Sequence, residues 1–217
     1  VVGDGPTARR ANLKIQDGCD FMCSFCIIPF ARGRARSRGW NNLLDEARQV
    51  VQRGAKELVL TGVNVGTYRF EDKSIVEVVD ALGEIPQLAR IRISSIEPTT
   101  IPTGLLDRMN DPGHALVPHL HVPLQSGSNA VLALMKRRYT RENYLEFVET
   151  AREAVPGICI GTDIMAGMPG EGDAEFEETV ALLENGPIDY AHVFIYSERS
   201  GTPAARMAHN VDPQTKA

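Results

Sequence analysis

The chain has 217 residues, 43% hydrophobic and 24% charged, with a formal net charge of −5. That size and balance suit one globular domain with a substantial core, and no apolar run is long enough to cross a bilayer. The acidic balance excludes a global attraction to nucleic acid, so contact with RNA would need a local basic patch or another part of the protein.

In chain order, an alternating segment at residues 11–16 predicts the first strand. Directly after it, Cys19, Cys23 and Cys26 stand in a C-x3-C-x2-C run. Arg32, Arg34, Arg36 and Arg38 alternate just beyond and form the best local basic patch for RNA phosphate. Leu43, Leu44, Ala47, Val50 and Val51 recur at helical spacing, with Gly54 as the helix stop. A strand is predicted at 57–61, a helix through Ile75, Val78, Val79 and Leu82, and strands at 90–94 and 119–122. His119 and His121 share one face of the latter by its period of two and are expected to line an interior. A helix through Tyr144, Leu145, Val148 and Ala151 leads to a strand at 158–164. Cys159, inside that apolar run, reads as a small core residue. A helix through Phe176, Val180 and Leu183 follows, with Asp173 as its N-cap and acidic residues in its first turn. The last strand is predicted at 191–196.

Six strand-then-helix units imply parallel strands joined by right-handed crossovers, in a doubly wound sheet or a complete or partial barrel. Either fold gathers ligands at the carboxyl ends of the strands. The expected rim is the cysteine loop, residues 61–64, 94–98 and 123–128, Asp163 with 167–171, and 196–199. A single glycine-bearing turn after a strand carries little information; their convergence on one rim is the argument.

Thiolates this close fit neither a regular strand nor a helix, so the loop is expected to wrap around a metal ion or an iron–sulfur cluster. Three cysteines leave one iron of a cubane open to an outside ligand. Structural zinc would need a fourth ligand such as His121, and an electron-transfer cluster a fourth cysteine nearby. With four cysteines in all and no charged-then-apolar leader, no disulfide framework is indicated, and a reduced, cytoplasmic protein is expected.

The C-x3-C-x-aromatic-C pattern of Cys19, Cys23, Phe25 and Cys26 resembles that of the radical S-adenosylmethionine enzymes. The runs CIIPFARG at 26–33, HLHVPLQSGS at 119–128, DIMAGMPGE at 163–171 and SGTPA at 200–204 look like their methylthiotransferase branch. Within it, RANLKIQDG at 10–18, IRISSIEP at 91–98 and RRYT at 137–140 most resemble the enzymes that methylthiolate threonylcarbamoyladenosine beside the tRNA anticodon. The alternatives are relatives acting on isopentenyladenosine in tRNA or on a ribosomal protein, and, outside the enzymes, a zinc-binding structural module.

The resemblance implies an α/β fold, a partial (βα)6 TIM-like barrel of parallel strands with outer helices. It also implies a 4Fe-4S cluster on Cys19, Cys23 and Cys26, whose open iron binds S-adenosylmethionine and cleaves it to a deoxyadenosyl radical. Glu97 and Gln125 are expected on the methionyl end and ribose, Asp163 on ribose hydroxyls, and Arg137, in the helix after Gln125, on the cofactor carboxylate. Gly62 would admit the methionine amine, and Phe25 would lie against the adenine. Implied partners are the tRNA substrate and an electron donor such as flavodoxin or ferredoxin, for a monomer with no membrane contact.

The core domain is expected at residues 1–208 and a polar tail at 209–217. Because Val1 replaces a starting Met and the tail lacks an apolar period, both ends read as cuts through a longer polypeptide. The family's second cluster, in an amino-terminal domain, and its carboxy-terminal RNA-binding domain would then lie outside this chain. Gly172, where relatives have a capping threonine, is an acceptable cap.

Overall fold

The computed structural model describes residues 9–208 and 210–216. The expectations placed on residues 1–8, His209 and Ala217 fall outside the described residues.

Strand β1 (Arg10–Lys14) is followed by a short antiparallel pair, β2 (Gln16–Asp17) with β3 (Arg36–Ser37), which flanks the cysteine loop and helix α1 (Ile28–Arg32). Then come α2 (Trp40–Gln52), β4 (Glu57–Thr61), α3 (Ile75–Gly83), β5 (Arg90–Ile93), α4 (Gly104–Asn110), β6 (His119–His121), α5 (Asn129–Leu134), α6 (Arg141–Ala154), β7 (Cys159–Ala166), α7 (Asp173–Asn185), β8 (Tyr190–Ile195) and α8 (Pro213–Lys216). All six expected strands are present. The helices α1, α4, α5 and α8 are short, too short for the apolar period to announce them.

The architecture is α/β with parallel strands, as expected, but the wall is divided. It consists of two three-stranded parallel sheets, β1-β4-β5 and β6-β7-β8. Among the described residues their seam holds one parallel bridge, Ile91 to Leu116, made by Ile91 N–H to Ala115 O (2.8 Å) and Val117 N–H to Ile91 O (3.0 Å), with Ile96 N–H to His121 O (3.0 Å) beyond it. Pro118 and Pro123 bracket β6 and cannot donate to a ladder, which keeps this strand at three residues. Among the described residues no ladder joins β8 to β1, so the barrel is open.

Alternation along each strand sorts the side chains. Leu13, Leu58, Leu60, Ile91, Ile93, Leu120, Ile160 and Ile164 are buried against the apolar faces of α2, α3 and α6 in one continuous core. The opposite, inner face carries Arg92, His119, His121, Asp163 and His192. Ser74 and Glu77 form a capping box at α3, and Thr140 with Asn143 does the same at α6. Gly54 follows the end of α2 with φ +107° and donates its N–H to Val51 O, as expected of a helix stop.

Helix α7 departs from the sequence reading. Its N-cap is not Asp173, the first helical residue, but Gly172, the glycine expected to be an acceptable cap, whose N–H donates to Glu175 Oε2 at 3.0 Å. Its buried face is Thr179 and Leu182, while Phe176 is 46% exposed. Hydrophobicity misled here because the inward position is a threonine whose hydroxyl bonds the loop after β6. Cys159 is half-buried rather than a core residue.

Candidate functional site

The cysteine loop is fixed by the chain around it. Gly18 has φ +71°, and a side chain there would meet Arg34 O at 2.0 Å, so only glycine lets the loop pass this close to its own return. Cys19 N–H donates to Gly33 O (3.1 Å) and Cys26 N–H to Cys23 O (3.1 Å). Ser24, fully buried, donates its hydroxyl to Leu134 O (2.6 Å) and its N–H to Met135 O (3.0 Å).

Gln16 is the tie that the sequence reading passed over. Its buried carboxamide donates to Gly18 O (2.8 Å), while its Oε1 accepts the N–H groups of Val63 and Asn64, both at 2.9 Å. One side chain thus fastens the cysteine loop to the turn after β4. The available signal was a polar residue in an inward, buried position immediately before the cysteines.

Cys19, Cys23 and Cys26 are half-buried free thiols that line a single cleft. Asn64, Glu97, Gln125 and Arg137 line the same cleft, with Phe25 also in the lining. Most of the expected site residues therefore converge. Gly62 and Asp163 lie outside this lining. A side chain at Gly62 would meet Gln16 Oε1 at 2.8 Å, so this glycine makes room for the Gln16 tie.

Arg137 is not on a helix: α5 ends at Leu134, and Arg137 follows Lys136, which has φ +58°. Its Nη2 donates to Glu97 Oε2 at 2.6 Å, with side chains 6% and 11% exposed, so the carboxylate it meets here belongs to the protein. Nη1 lies 3.3 Å from Cys23 Sγ, and Tyr139 OH, bonded to Pro123 O, accepts from the same guanidinium. Burial opposes the charge on Arg137, but Tyr139, Glu97 and Cys23 more than offset it and hold its pKa above the ordinary value. Burial likewise pushes the Glu97 carboxyl up, against the pull of Arg137.

Gln125 occupies the left-handed region at φ +78°, a strained setting for a residue with a side chain. Its N–H donates to Asp163 O and its carbonyl accepts from Met165 N–H, both at 2.8 Å. Thr179 accepts the Gly127 N–H at 2.9 Å, fastening the next turn to α7.

Asp163 Oδ1 pairs with His121 Nε2 (2.9 Å) and His192 Nδ1 (3.4 Å) on the inner wall. His119 and His121 line the interior as expected, both meeting Tyr190 OH. The four arginines do not lie on one extended segment, because Arg32 ends α1 and Arg36 lies in β3. Asp17 pairs with both of these, Asp20 with Arg34 and Glu46 with Arg38, so much of the patch's charge is matched.

The cleft suits a cationic inorganic cluster with a polar organic ligand. Burial pushes the Cys19 and Cys26 thiols up, so gathering three thiolates here calls for positive charge among them. Asn64 Nδ2 is buried in the lining without a hydrogen-bond partner among the described residues, which fits an acceptor atom from a ligand.

Comparison with known proteins agrees. The Radical SAM superfamily matches residues 13–183. The chain is 39% identical over its full length to tRNA-2-methylthio-N(6)-dimethylallyladenosine synthase of Staphylococcus aureus, in strains JH9 and Newman, and spans 43% of those relatives' length. Among solved structures it resembles the radical S-adenosylmethionine methyltransferase TsrM from Kitasatospora setae, with cobalamin and a [4Fe-4S] cluster bound. The TM-score is 0.74 at 18% identity, over 89% of this chain and 38% of that one. It also resembles the Radical SAM coproporphyrinogen III oxidase of Escherichia coli, with a TM-score of 0.66 at 21% identity, over 94% of this chain and 49% of that one. The chain belongs to the Radical SAM superfamily, whose members use a 4Fe-4S cluster and S-adenosylmethionine.

Proposed function

We propose, from that membership, that this chain is the catalytic core of a tRNA methylthiotransferase acting on an N6-modified adenosine. The identity to the dimethylallyladenosine synthases favours the dimethylallyl, or isopentenyl, substrate over the threonylcarbamoyl one expected from the sequence. The observation that carries the catalytic reading is the single cleft that three thiols line together with Asn64, Gln125 and the Arg137–Glu97 pair.

Cys19, Cys23 and Cys26 would ligate the cluster, and Asn64, Glu97, Gln125 and Arg137 would meet the polar groups of S-adenosylmethionine, with Phe25 against its adenine. When bound, the reduced cluster and S-adenosylmethionine supply a deoxyadenosyl radical able to take hydrogen from an unactivated carbon. The chain's own share is positional. Gln16 and Ser24 hold the loop, Glu97 orients Arg137, and Phe21 and Ile96 line the cleft with apolar surface that excludes water. Both histidine partners of Asp163 address Oδ1, so a ribose hydroxyl would be met through Oδ2.

A second substrate, threonylcarbamoyladenosine, is favoured by the polarity of the inner wall. His121, Asp163 and His192 offer hydrogen bonds that a threonylcarbamoyl group can use and a hydrocarbon chain cannot. Transfer RNA and an electron donor are the proposed partners. Among the described residues no helix is long and apolar enough to cross a membrane, and cytoplasmic action is part of the proposal.

Anaerobic reconstitution should load about four irons per chain, and dithionite with S-adenosylmethionine should then yield deoxyadenosine. Replacing Cys23 by Ala should abolish both. Absence of iron uptake by the native chain, or of any cleavage product, defeats the catalytic reading. We expect this chain by itself to cleave the cofactor without inserting sulfur. Mass spectrometry of tRNA nucleosides from a deletion strain separates the substrates by which 2-methylthio nucleoside disappears.

A further inference from the structure

We infer that His121, Asp163 and His192 form a binding site for one divalent transition-metal ion, separate from the cysteine loop. The three residues come from β6, β7 and β8, and Asp163 and His192 are direct partners in the β7–β8 register. His121 Nε2 and His192 Nδ1 address the same oxygen of Asp163, at 2.9 and 3.4 Å, and the three ligating atoms lie within 4.8 Å of one another. The two imidazoles also stack, with centroids 5.2 Å apart.

The support around the triad is what a metal site requires. A ligating histidine is held by a partner on its other ring nitrogen, and here Tyr190 OH sits 3.2 Å from His121 Nδ1. Tyr190 is itself held by His119 Nε2 at 3.1 Å. His121 is buried, while the His192 side chain, on the edge strand β8, is 58% exposed and leaves an entry route.

Two imidazole nitrogens and one carboxylate oxygen suit zinc or ferrous iron, and they leave coordination positions open. Magnesium and calcium, which prefer all-oxygen shells, suit it poorly. The open positions would take water or an oxygen of a bound substrate. A cation here also competes with the role proposed for Asp163 on a ribose. The inference stands on side chains outside the lining of the cysteine cleft, and its premises do not involve the substrate.

The test removes the competing thiols. In a variant with Cys19, Cys23 and Cys26 all replaced by Ser, checked for native circular dichroism, Co2+ titration should give one bound ion per chain. Its visible spectrum should be of nitrogen–oxygen type, without sulfur charge-transfer bands. Adding His192→Ala, at an exposed position that does not threaten the fold, should abolish the signal, and Tyr190→Phe should weaken binding roughly 10- to 100-fold as loss of a supporting partner does. Should the triple variant misfold, the native thiols can be alkylated and the titration repeated. No cobalt spectrum, or uptake undiminished by His192→Ala, overturns the site and leaves a hydrogen-bonded network.

Discussion

Gln125 concentrates strain in a single backbone angle, at a residue that lines the cysteine cleft. A side chain at φ +78° costs on the order of 1–2 kcal/mol, and the sequence keeps glutamine where glycine would be relaxed. Gln125→Gly should therefore raise stability by about 1 kcal/mol, while Gln125→Ala should not. Both should weaken S-adenosylmethionine binding roughly tenfold, the scale of one lost hydrogen bond. Thermal melts and equilibrium dialysis check the two arms, and equal melting temperatures for the two variants would remove the strain argument. At this scale the sequence pointed to the cysteines and to most of the residues that prove to line one cleft with them, because their chemistry is local and dense. It did not reveal that Arg137 meets Glu97, since two side chains 40 positions apart pair only through the fold. Gln16 was missed for the related reason that a tie is recognised by what it joins.

Among the elements, the amino ends of β1, β4 and β5 are stitched by one buried carboxylate. Glu57, 3% exposed, pairs with Arg10, Arg90 and Arg92 at 3.0 to 3.1 Å. Burial raises its pKa, but Arg90 and Arg92, with Arg10, outweigh it, so the folded carboxyl titrates below the ordinary 4.5. A depressed folded value means that the contribution is complete above the ordinary glutamate range and lost as pH falls through the folded pKa. Glu57→Gln should cost about 1–2 kcal/mol at neutral pH, a figure held down by the exposure of Arg10 and Arg90. It should also flatten the acid loss of stability. Urea midpoints at neutral pH and near pH 3 measure this, and an unchanged acid slope would count against it. Strand positions were readable because alternation is strong in short, half-buried segments. The inward face of α7 was not, because its inner position is Thr179, chosen for a hydroxyl that bonds the Gly127 N–H.

For the whole molecule, the seam between β5 and β6 sets the pattern of stability. Strands β4 and β7 have partners on both sides, whereas the seam rests on one bridge and a few flanking bonds. Amide hydrogen exchange should be slowest at Leu58 and Leu60 and faster by orders of magnitude at Ile96 and Val117. Uniform protection would mean that the wall behaves as one continuous sheet. The sequence announced parallel strands in series. It could not announce the division, which depends on prolines whose effect appears only when strands are aligned.

Tyr190 occupies the space that a side chain at Gly161 would need, since a Cβ there would lie 2.0 Å from the ring. The two positions are therefore sterically coupled. Neither an alanine at the first nor a small residue at the second is neutral alone, and a lineage can leave this pair only through a destabilised intermediate or by a double step. Gly161→Ala should be severe in the native background and mild beside Tyr190→Ala, a non-additivity that a double-mutant cycle would measure directly. Across descendants of this chain, the two columns should change together or remain fixed together.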